Sequence, residues 1–385
     1  MTTKTDCVRG AADSVGGTRS IAPELVPGCT YAFDSQAQID RYYELGEGYL
    51  YSRNENPTVE QAAREIAQLE KAEEAAMFSS GMAAISTAVI ALGGEKRRVV
   101  TQSDVYGGTA ELMAKWLPTW GFEVISLTRE ELSGLTMERL SGADLLYLET
   151  PTNPTLRLID LEQVCAVARS AGVTTMVDST FASPIVQQPL SCGVDLVMHS
   201  TTKYLGGHSD LLGGVVAGDS ARIEMIRQQR RVLGGVMDAF SAYLLMRGLR
   251  TLAVRLEAQQ RSALRIAEAL DAHPGVVEVA YPGLTDHPEH QLAKRQMRGF
   301  GGMVSFRVDG GGARAIDVHD RLQLFHRAGS LGSVESLVSI PARMSHRHLT
   351  TEALREAGIG EELIRLSIGL EDVDELIADL TQALA

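Results

Sequence analysis

The sequence predicts an α/β protein, built on a mostly parallel sheet covered by helices and followed by a smaller α/β region. Two observations carry this. Short apolar runs of strand length alternate with amphipathic helical stretches through the first half of the chain, and such alternation lays parallel strands side by side with helical crossovers. After Gly218 the alternation gives way to long helical stretches and then to a few separated strand candidates.

In chain order, residues 1–55 show little periodicity, are rich in Gly, Tyr and polar residues, and read as an extended arm. A helix follows, with Thr58 and Gln61 as a capping box and Val59, Ala62, Ile66 and Leu69 on one face. Strand candidates are Arg98–Gln102, Val124–Leu127, Leu145–Glu149, Thr174–Asp178 and Asp195–His199. Between them lie amphipathic segments such as Leu161–Ala171, whose stripe is Leu161, Val164, Cys165 and Ala168. Long helices are expected at 220–232 and 238–271. Strands are expected at Val276–Tyr281, Met303–Val308 and Arg365–Ile368, before a closing helix capped by Asp372 and Glu375. The expected organisation is an arm (1–55), a large domain (56–250) and a C-terminal α/β domain (251–385).

Composition narrows the function classes. A chain of 385 residues with 44% hydrophobic and 22% charged residues can fill sizeable cores and does not read as disordered. Its 36 basic and 49 acidic side chains give a net charge of −13, which repels nucleic acid and anionic membranes, so neither is an expected partner. An anionic ligand therefore needs a local site. Cys7, Cys29, Cys165 and Cys192 are scattered, with no CxxC pair, and Cys165 falls in an apolar helical pattern. Reduced thiols are expected, and no metal. The start, Met1-Thr2-Thr3-Lys4, lacks the apolar core of a signal peptide, and the most apolar stretch, Met82–Leu92, is too short to cross a bilayer. A cytoplasmic location is expected.

The chemistry concentrates at strand ends. Asp178 closes the apolar run Thr174–Val177, at the carboxyl edge where ligands of open α/β sheets bind. A helix-cap or loop role is the plain alternative for that residue taken alone. A second apolar run ends in Ser200-Thr201-Thr202-Lys203. An amine with neighbouring hydroxyls suits an aldehyde that also carries a phosphate: the amine forms an imine and the hydroxyls accept the phosphate. Asp178 would then keep a pyridinium nitrogen protonated, making the ring an electron sink. Ser79-Ser80-Gly81-Met82, just before a helix, offers a second phosphate cradle, although simple capping produces the same string. Tyr106, in Val105-Tyr106-Gly107-Gly108-Thr109, can stack on a flat ring or be an ordinary core tyrosine.

Five motifs together resemble the Cys/Met-metabolism family of pyridoxal-phosphate enzymes, which includes cystathionine γ-synthases and γ-lyases, methionine γ-lyases and homoserine-ester sulfhydrylases. They are Tyr51-Ser52-Arg53-x-x-Asn56-Pro57-Thr58, Ser80-Gly81-Met82, Glu149-Thr150-Pro151-x-Asn153-Pro154, Ser200-x-Thr202-Lys203-Tyr204 and Arg365-Leu366-Ser367-x-Gly369-x-Glu371. The resemblance implies the type I, aspartate-aminotransferase-like fold, with helices on both faces of the sheet, and pyridoxal 5'-phosphate as cofactor. It implies that Lys203 carries the cofactor as a Schiff base and shuttles protons. Ser80, Gly81, Met82, Ser200 and Thr202 would hold the phosphate, Asp178 the ring nitrogen and Asn153 the ring hydroxyl, with Thr180 also among the cofactor-binding residues. Tyr106 would stack on the ring and act catalytically. Arg365 and Ser330 would bind the amino-acid substrate. Tyr51 and Arg53 would reach the phosphate of a neighbouring subunit, which implies a homodimer with shared sites, usually within a homotetramer.

Departures from the family bear on substrate. Enzymes acting on cystathionine tend to carry glutamates where this chain has Leu50 and Gly329, and methionine γ-lyases commonly have cysteine where it has Gly108. An apolar and an empty position suit a short, uncharged thioether, so γ-elimination from methionine or a similar amino acid is expected. Cystathionine cleavage, or γ-replacement on an O-activated homoserine, is the alternative. Three other readings are weaker. A Ser-x-x-Lys acyl enzyme needs partner motifs that the sequence lacks. Metal binding at His287/His290 or His346/His348 lacks an evident third ligand, and those histidines read as solvated loop residues. A non-catalytic scaffold would not need Lys203, Asp178, Tyr106 and Arg365 all intact.

Overall fold

The structure, a computed structural model, describes residues 2–10, 20–347 and 349–385. Seven strands form the first sheet: β1 (Glu74–Phe78), β2 (Arg98–Gln102), β3 (Glu123–Leu127), β4 (Leu145–Glu149), β5 (Thr174–Asp178), β6 (Leu196–His199) and β7 (Gly214–Gly218). Their order is β1-β7-β6-β5-β4-β2-β3. The pairs among β2 to β6 are parallel, and β7 runs antiparallel to both of its neighbours. The five strand candidates from Arg98 to His199 are thus strands, with one-residue differences at the starts of β3 and β6. β1 and β7 went undetected because Glu-Ala-Ala-Met-Phe and Gly-Val-Val-Ala-Gly have weak strand propensity and are fixed by pairing with each other.

Alternate residues on these strands face opposite sides, and both sides are covered. Met77, Val197 and Val215 pack in a core with Ile66, Leu69, Leu245 and Leu249. Their neighbours Phe78, Met198 and Val216 pack in another core with Ile85, Val89, Ile223 and Ile226. Strands buried on both faces read as continuous apolar runs, which is why they stood out in the sequence. A second sheet follows, of order β10-β11-β12-β9-β8, from β8 (Val276–Ala280), β9 (Met303–Val308), β10 (His326–Arg327), β11 (Leu337–Ser339) and β12 (Leu363–Ser367). The expected helix at 238–271 is two helices, Ala239–Leu249 and Leu252–Asp271.

The first 55 residues are not uniformly extended: helices occupy Thr3–Arg9 and Gln36–Leu45. The next helix, Pro57–Glu70, starts one residue earlier than Thr58 and is capped differently from expectation. Asn56 accepts from the Thr58 and Val59 N–H groups at 3.0 and 3.3 Å, and Pro57 takes the first helical position, where its missing N–H costs nothing. Thr58 instead holds the arm, accepting from Val26 N and donating to Glu24 O. His287, His290 and His346 are buried and not solvated as expected; His290 pairs with the Pro282 carbonyl and His346 with Ser345, while His348 lies outside the described residues. Among the described residues no helix is long and apolar enough to cross a membrane, and the four cysteines are free. Burial pushes the Cys165 thiol up to about 11.

Asn56 also donates to Val26 O, Tyr31 Oη and Ser52 Oγ, so one buried amide serves both the helix start and the arm. Asn56→Ala is expected to cost about 1–2 kcal/mol, the range for loss of a cap, and to lower the thermal midpoint. Asn56→Asp, which keeps the cap but not the donors, should fall between. Equal midpoints for all three proteins would contradict this role.

Candidate active site

The site lies where the carboxyl ends of β4, β5 and β6 open into a cavity of about 330 Å³. The strand ends place its acids. Glu149 and Asp178 are the last residues of β4 and β5 and face each other in register, and both are buried. Burial pushes both carboxyls upward, and for Glu149 the Asp178 charge adds to the shift. Bonds from Thr180 to Asp178, including the backbone N–H at 2.9 Å, oppose it. Thr180 also accepts from the Ser200 N–H at 2.9 Å, tying the Asp178 loop to the loop that carries the lysine.

Lys203 enters the cavity one turn beyond β6. Its ammonium donates to Ser330 Oγ at 2.7 Å. Burial and the charge of Arg365 pull its pKa down to about 8, well below that of an exposed lysine. Ser330 adopts a left-handed backbone, φ 86°, uncommon for a residue other than glycine. This conformation lets its hydroxyl meet Lys203 while its carbonyl accepts from Arg365 Nη2 at 2.9 Å. Arg365, on β12 of the other sheet, also donates from Nη1 to Asn153 Oδ1 at 2.8 Å. Its Nε is buried without a partner, and burial lowers the guanidinium to about 10. A desolvated guanidinium with a spare N–H in a cavity is a receptor for a carboxylate.

At the opposite wall, Ser80 caps the helix Gly81–Leu92 through Ala83 N at 3.0 Å. The first N–H groups of any helix lack partners within it, and at Gly81 and Met82 they border the cavity. A Cβ at Gly81 would lie 3.1 Å from Ser200 Cβ and 3.3 Å from its hydroxyl, so the cradle is open only because this residue is glycine. Thr202 flanks it, holding Gly213 N at 3.0 Å. Tyr106 lines the cavity near its mouth. Gly108 behind it has no room for a side chain without rearrangement: a Cβ there would meet the Tyr106 ring at 2.8 Å and Met82 Sδ at 3.1 Å.

Thus Lys203, Asp178, Thr180, Asn153, Arg365, Ser330, Gly329, Tyr106 and both phosphate cradles border one cavity. Leu50, Tyr51 and Arg53 do not line it within the chain. Arg53 donates to Arg231 O and sits over the half-exposed ring of Tyr51. Sequence reasoning missed Phe181, Leu212, Leu331 and Met344 in the walls, since apolar residues on loops carry no chemical signal. It quoted Glu149 only as part of a motif, without a role.

A lysine of lowered pKa beside a strand-end acid, with an anion cradle of helix N–H groups and hydroxyls, fits pyridoxal phosphate, and the spare Arg365 N–H fits an amino-acid carboxylate. The site is that of a pyridoxal-phosphate enzyme acting on amino acids. The family model for "Cys/Met metabolism PLP-dependent enzyme" matches residues 4–385, and the chain belongs to that family. It is 45% identical to a cystathionine γ-lyase of Bacillus subtilis over 342 residues, 88% of this chain and 89% of that one. It is 38% identical to an L-methionine γ-lyase of Fusobacterium nucleatum subsp. polymorphum over 379 residues, 97% of this chain and 95% of that one. Among solved structures it resembles a putative O-acetylhomoserine (thiol)-lyase of Campylobacter jejuni containing N'-pyridoxyl-lysine-5'-monophosphate, with a TM-score of 0.94, 30% identity and full coverage of both chains.

Imine formation needs the neutral amine. With a pKa near 8 in place of 10.5, Lys203 is deprotonated above about pH 8. The rate at which cofactor-free protein takes up pyridoxal phosphate, read from visible absorbance, is therefore expected to rise with pH and level off past about 8. A rise continuing to pH 10 would contradict the lowered value. Lys203→Ala should abolish turnover and the imine absorbance.

Proposed function

We propose that the protein cleaves the Cγ–S bond of an uncharged thioether amino acid, methionine foremost, with water converting it to a thiol, ammonia and 2-oxobutanoate. The carrying observation is the cavity wall around Gly329. Leu331 and Met344 line the same cavity, its acids Glu149 and Asp178 are held in bonds at the strand ends, and a Cβ added at Gly329 would have only Met344 Sδ, at 3.8 Å, within 4 Å. Gly329 and Met344 are exposed, so a distal ammonium reaching that wall would stay in water and meet no carboxylate, and nothing there favours a charged distal group over a methyl.

Pyridoxal phosphate, when bound, would supply the electron sink for charge developing at the substrate carbons. The chain's residues do the rest. Arg365 orients the substrate carboxylate through its free Nε. Lys203 takes the α-proton and then moves a proton at the β-carbon, with Ser330 Oγ holding its nitrogen between transfers. The Tyr106 hydroxyl protonates the departing sulfur. Asp178 holds the ring nitrogen, and the Gly81 and Met82 N–H groups, with Ser200 and Thr202, hold the phosphate. That cradle contains no cationic side chain, which supports Tyr51 and Arg53 of a second subunit as its missing charge partner, in a homodimer or homotetramer. The reading includes a cytoplasmic location.

Cystathionine cleavage is the second reading, favoured by the 45% identity to a cystathionine γ-lyase; γ-replacement on a homoserine ester uses the same residues and differs in whether a nucleophile traps the intermediate.

Comparing kcat/KM for methionine and cystathionine tests the wall argument, and methionine is expected to win. Gly329→Glu should shift the ratio toward cystathionine by about tenfold or more, equivalent to roughly 1.4 kcal/mol. A wild-type preference for cystathionine would show that Gly329 had been misread. For the shared site, Arg53→Ala and Lys203→Ala proteins, each inactive, are expected to regain partial activity when mixed and reassembled. No recovery despite demonstrated subunit exchange would count against it.

A further inference from the structure

Glu149 is a buried acid that the reaction outlined above does not use, and its bonding is unusually divided. Oε2 accepts the backbone N–H of Tyr106 at 2.6 Å, and Oε1 accepts the backbone N–H of Asn153 at 3.1 Å. These two N–H groups belong to different loops: Tyr106 follows β2, and Asn153 follows β4. The carboxylate itself is held from behind. Gln102, at the end of β2, accepts from Glu149 N at 2.8 Å and donates to Glu149 O at 3.0 Å, so the acid's backbone is locked to the neighbouring strand. Asn153 continues the chain of contacts through its side chain, which accepts from Arg365 Nη1.

We propose that Glu149 is a positioning residue, whose carboxylate sets the spacing between Tyr106, the proton donor to sulfur, and the Asn153–Arg365 pair that receives the substrate carboxylate. The role presupposes the cofactor site proposed above. A charged carboxylate is suited to it because each of its oxygens is an acceptor, whereas an amide of the same shape has only one and would turn a donor toward the second N–H. Burial beside Asp178 pushes the carboxyl upward, and the two backbone N–H bonds pull it back, so the bonds to Tyr106 and Asn153 offset part of the cost of burying the acid. An apolar residue could fill the volume but not join the loops. The geometry ties substrate binding and proton donation to one side chain.

The test uses Glu149→Gln in the cofactor-loaded protein. Two results are expected. Norleucine, which has the length of methionine but no leaving group, should bind about tenfold more weakly by spectral titration, because the Arg365 side of the site has lost its spacing. The turnover loss, at least tenfold in the wild-type background, should shrink to under about threefold in the Tyr106→Phe background, because Glu149 acts on catalysis through that hydroxyl. Unchanged norleucine affinity, or an equal loss in both backgrounds, overturns the proposal. If Glu149→Gln does not fold, Glu149→Asp, which keeps the charge but is too short to reach both N–H groups, is carried through the same two measurements. The titration needs no turnover, and the second arm uses whichever thioether or homoserine ester the enzyme accepts. A wrong assignment of substrate is thereby separated from a wrong role for Glu149.

Discussion

The structure around the site depends on burying the Arg365 guanidinium. A buried cation is costly unless its N–H groups are used, and Arg365 uses two of its three nitrogens on two different parts of the molecule. One goes to Asn153, on the loop after β4, and the other to the carbonyl of Ser330. The five-stranded sheet thereby delivers a buried guanidinium to the edge of the seven-stranded sheet, the carboxylate receptor of the proposed function. Ser330 pays for that connection with a left-handed backbone, and the same conformation turns its hydroxyl onto Lys203. Holding the substrate receptor and holding the reactive amine are consequences of one backbone geometry. The Nε is left over, buried without a hydrogen-bond partner.

Charge in the cavity is balanced by position more than by direct pairing. The Arg365 charge adds to what burial already does to lower the Lys203 pKa, and burial lowers that of Arg365. On the acid side burial raises both carboxyls, and the Asp178 charge raises Glu149 further. Such opposed pairs leave a lysine that can be neutral near physiological pH, which is what imine formation and proton shuttling require. His199 and Glu70, buried with their side chains 2.5 Å apart, lie just behind at the end of β6, and a charge on His199 opposes the upward shift of Asp178.

The large sheet was legible in the sequence to the extent that its strands are buried on both faces, because such strands are nearly continuous apolar runs. β4 and β5 could be bounded to the residue for this reason, and Asp178 stood out as a charge at the end of one. β1 and β7 were not legible: short, alanine- and glycine-rich, they are strands because they pair with each other and with β6. Lys203 and Asp178 were legible as chemistry, since each is a charge at the end of an apolar run, whereas Arg365 was marked only by the family resemblance. Glu149 was not, because its partners are backbone N–H groups of two loops, and no residue type announces such a contact. The Asn56 cap was misassigned to Thr58 for a related reason: both are good capping residues, and Pro57 at the first helical position is what decides between them.

Substrate choice in such a site turns on few atoms. On the proposed function, Arg365, Lys203, Tyr106 and the phosphate cradle would act on parts that all amino acids of this class share, giving affinity and rate without discrimination. Discrimination must come from the wall that faces the group on sulfur. A missing methylene in an apolar pocket changes selectivity only modestly, while an ammonium without an acceptor is rejected strongly. In the proposed reading Gly329 is the position where an acceptor is left out, and the exposed space there is bordered by Met344 Sδ, 3.8 Å from where a side chain would begin. A methyl thioether needs nothing further from that wall, whereas a distal amino acid would need a carboxylate that neither Gly329 nor Met344 can supply.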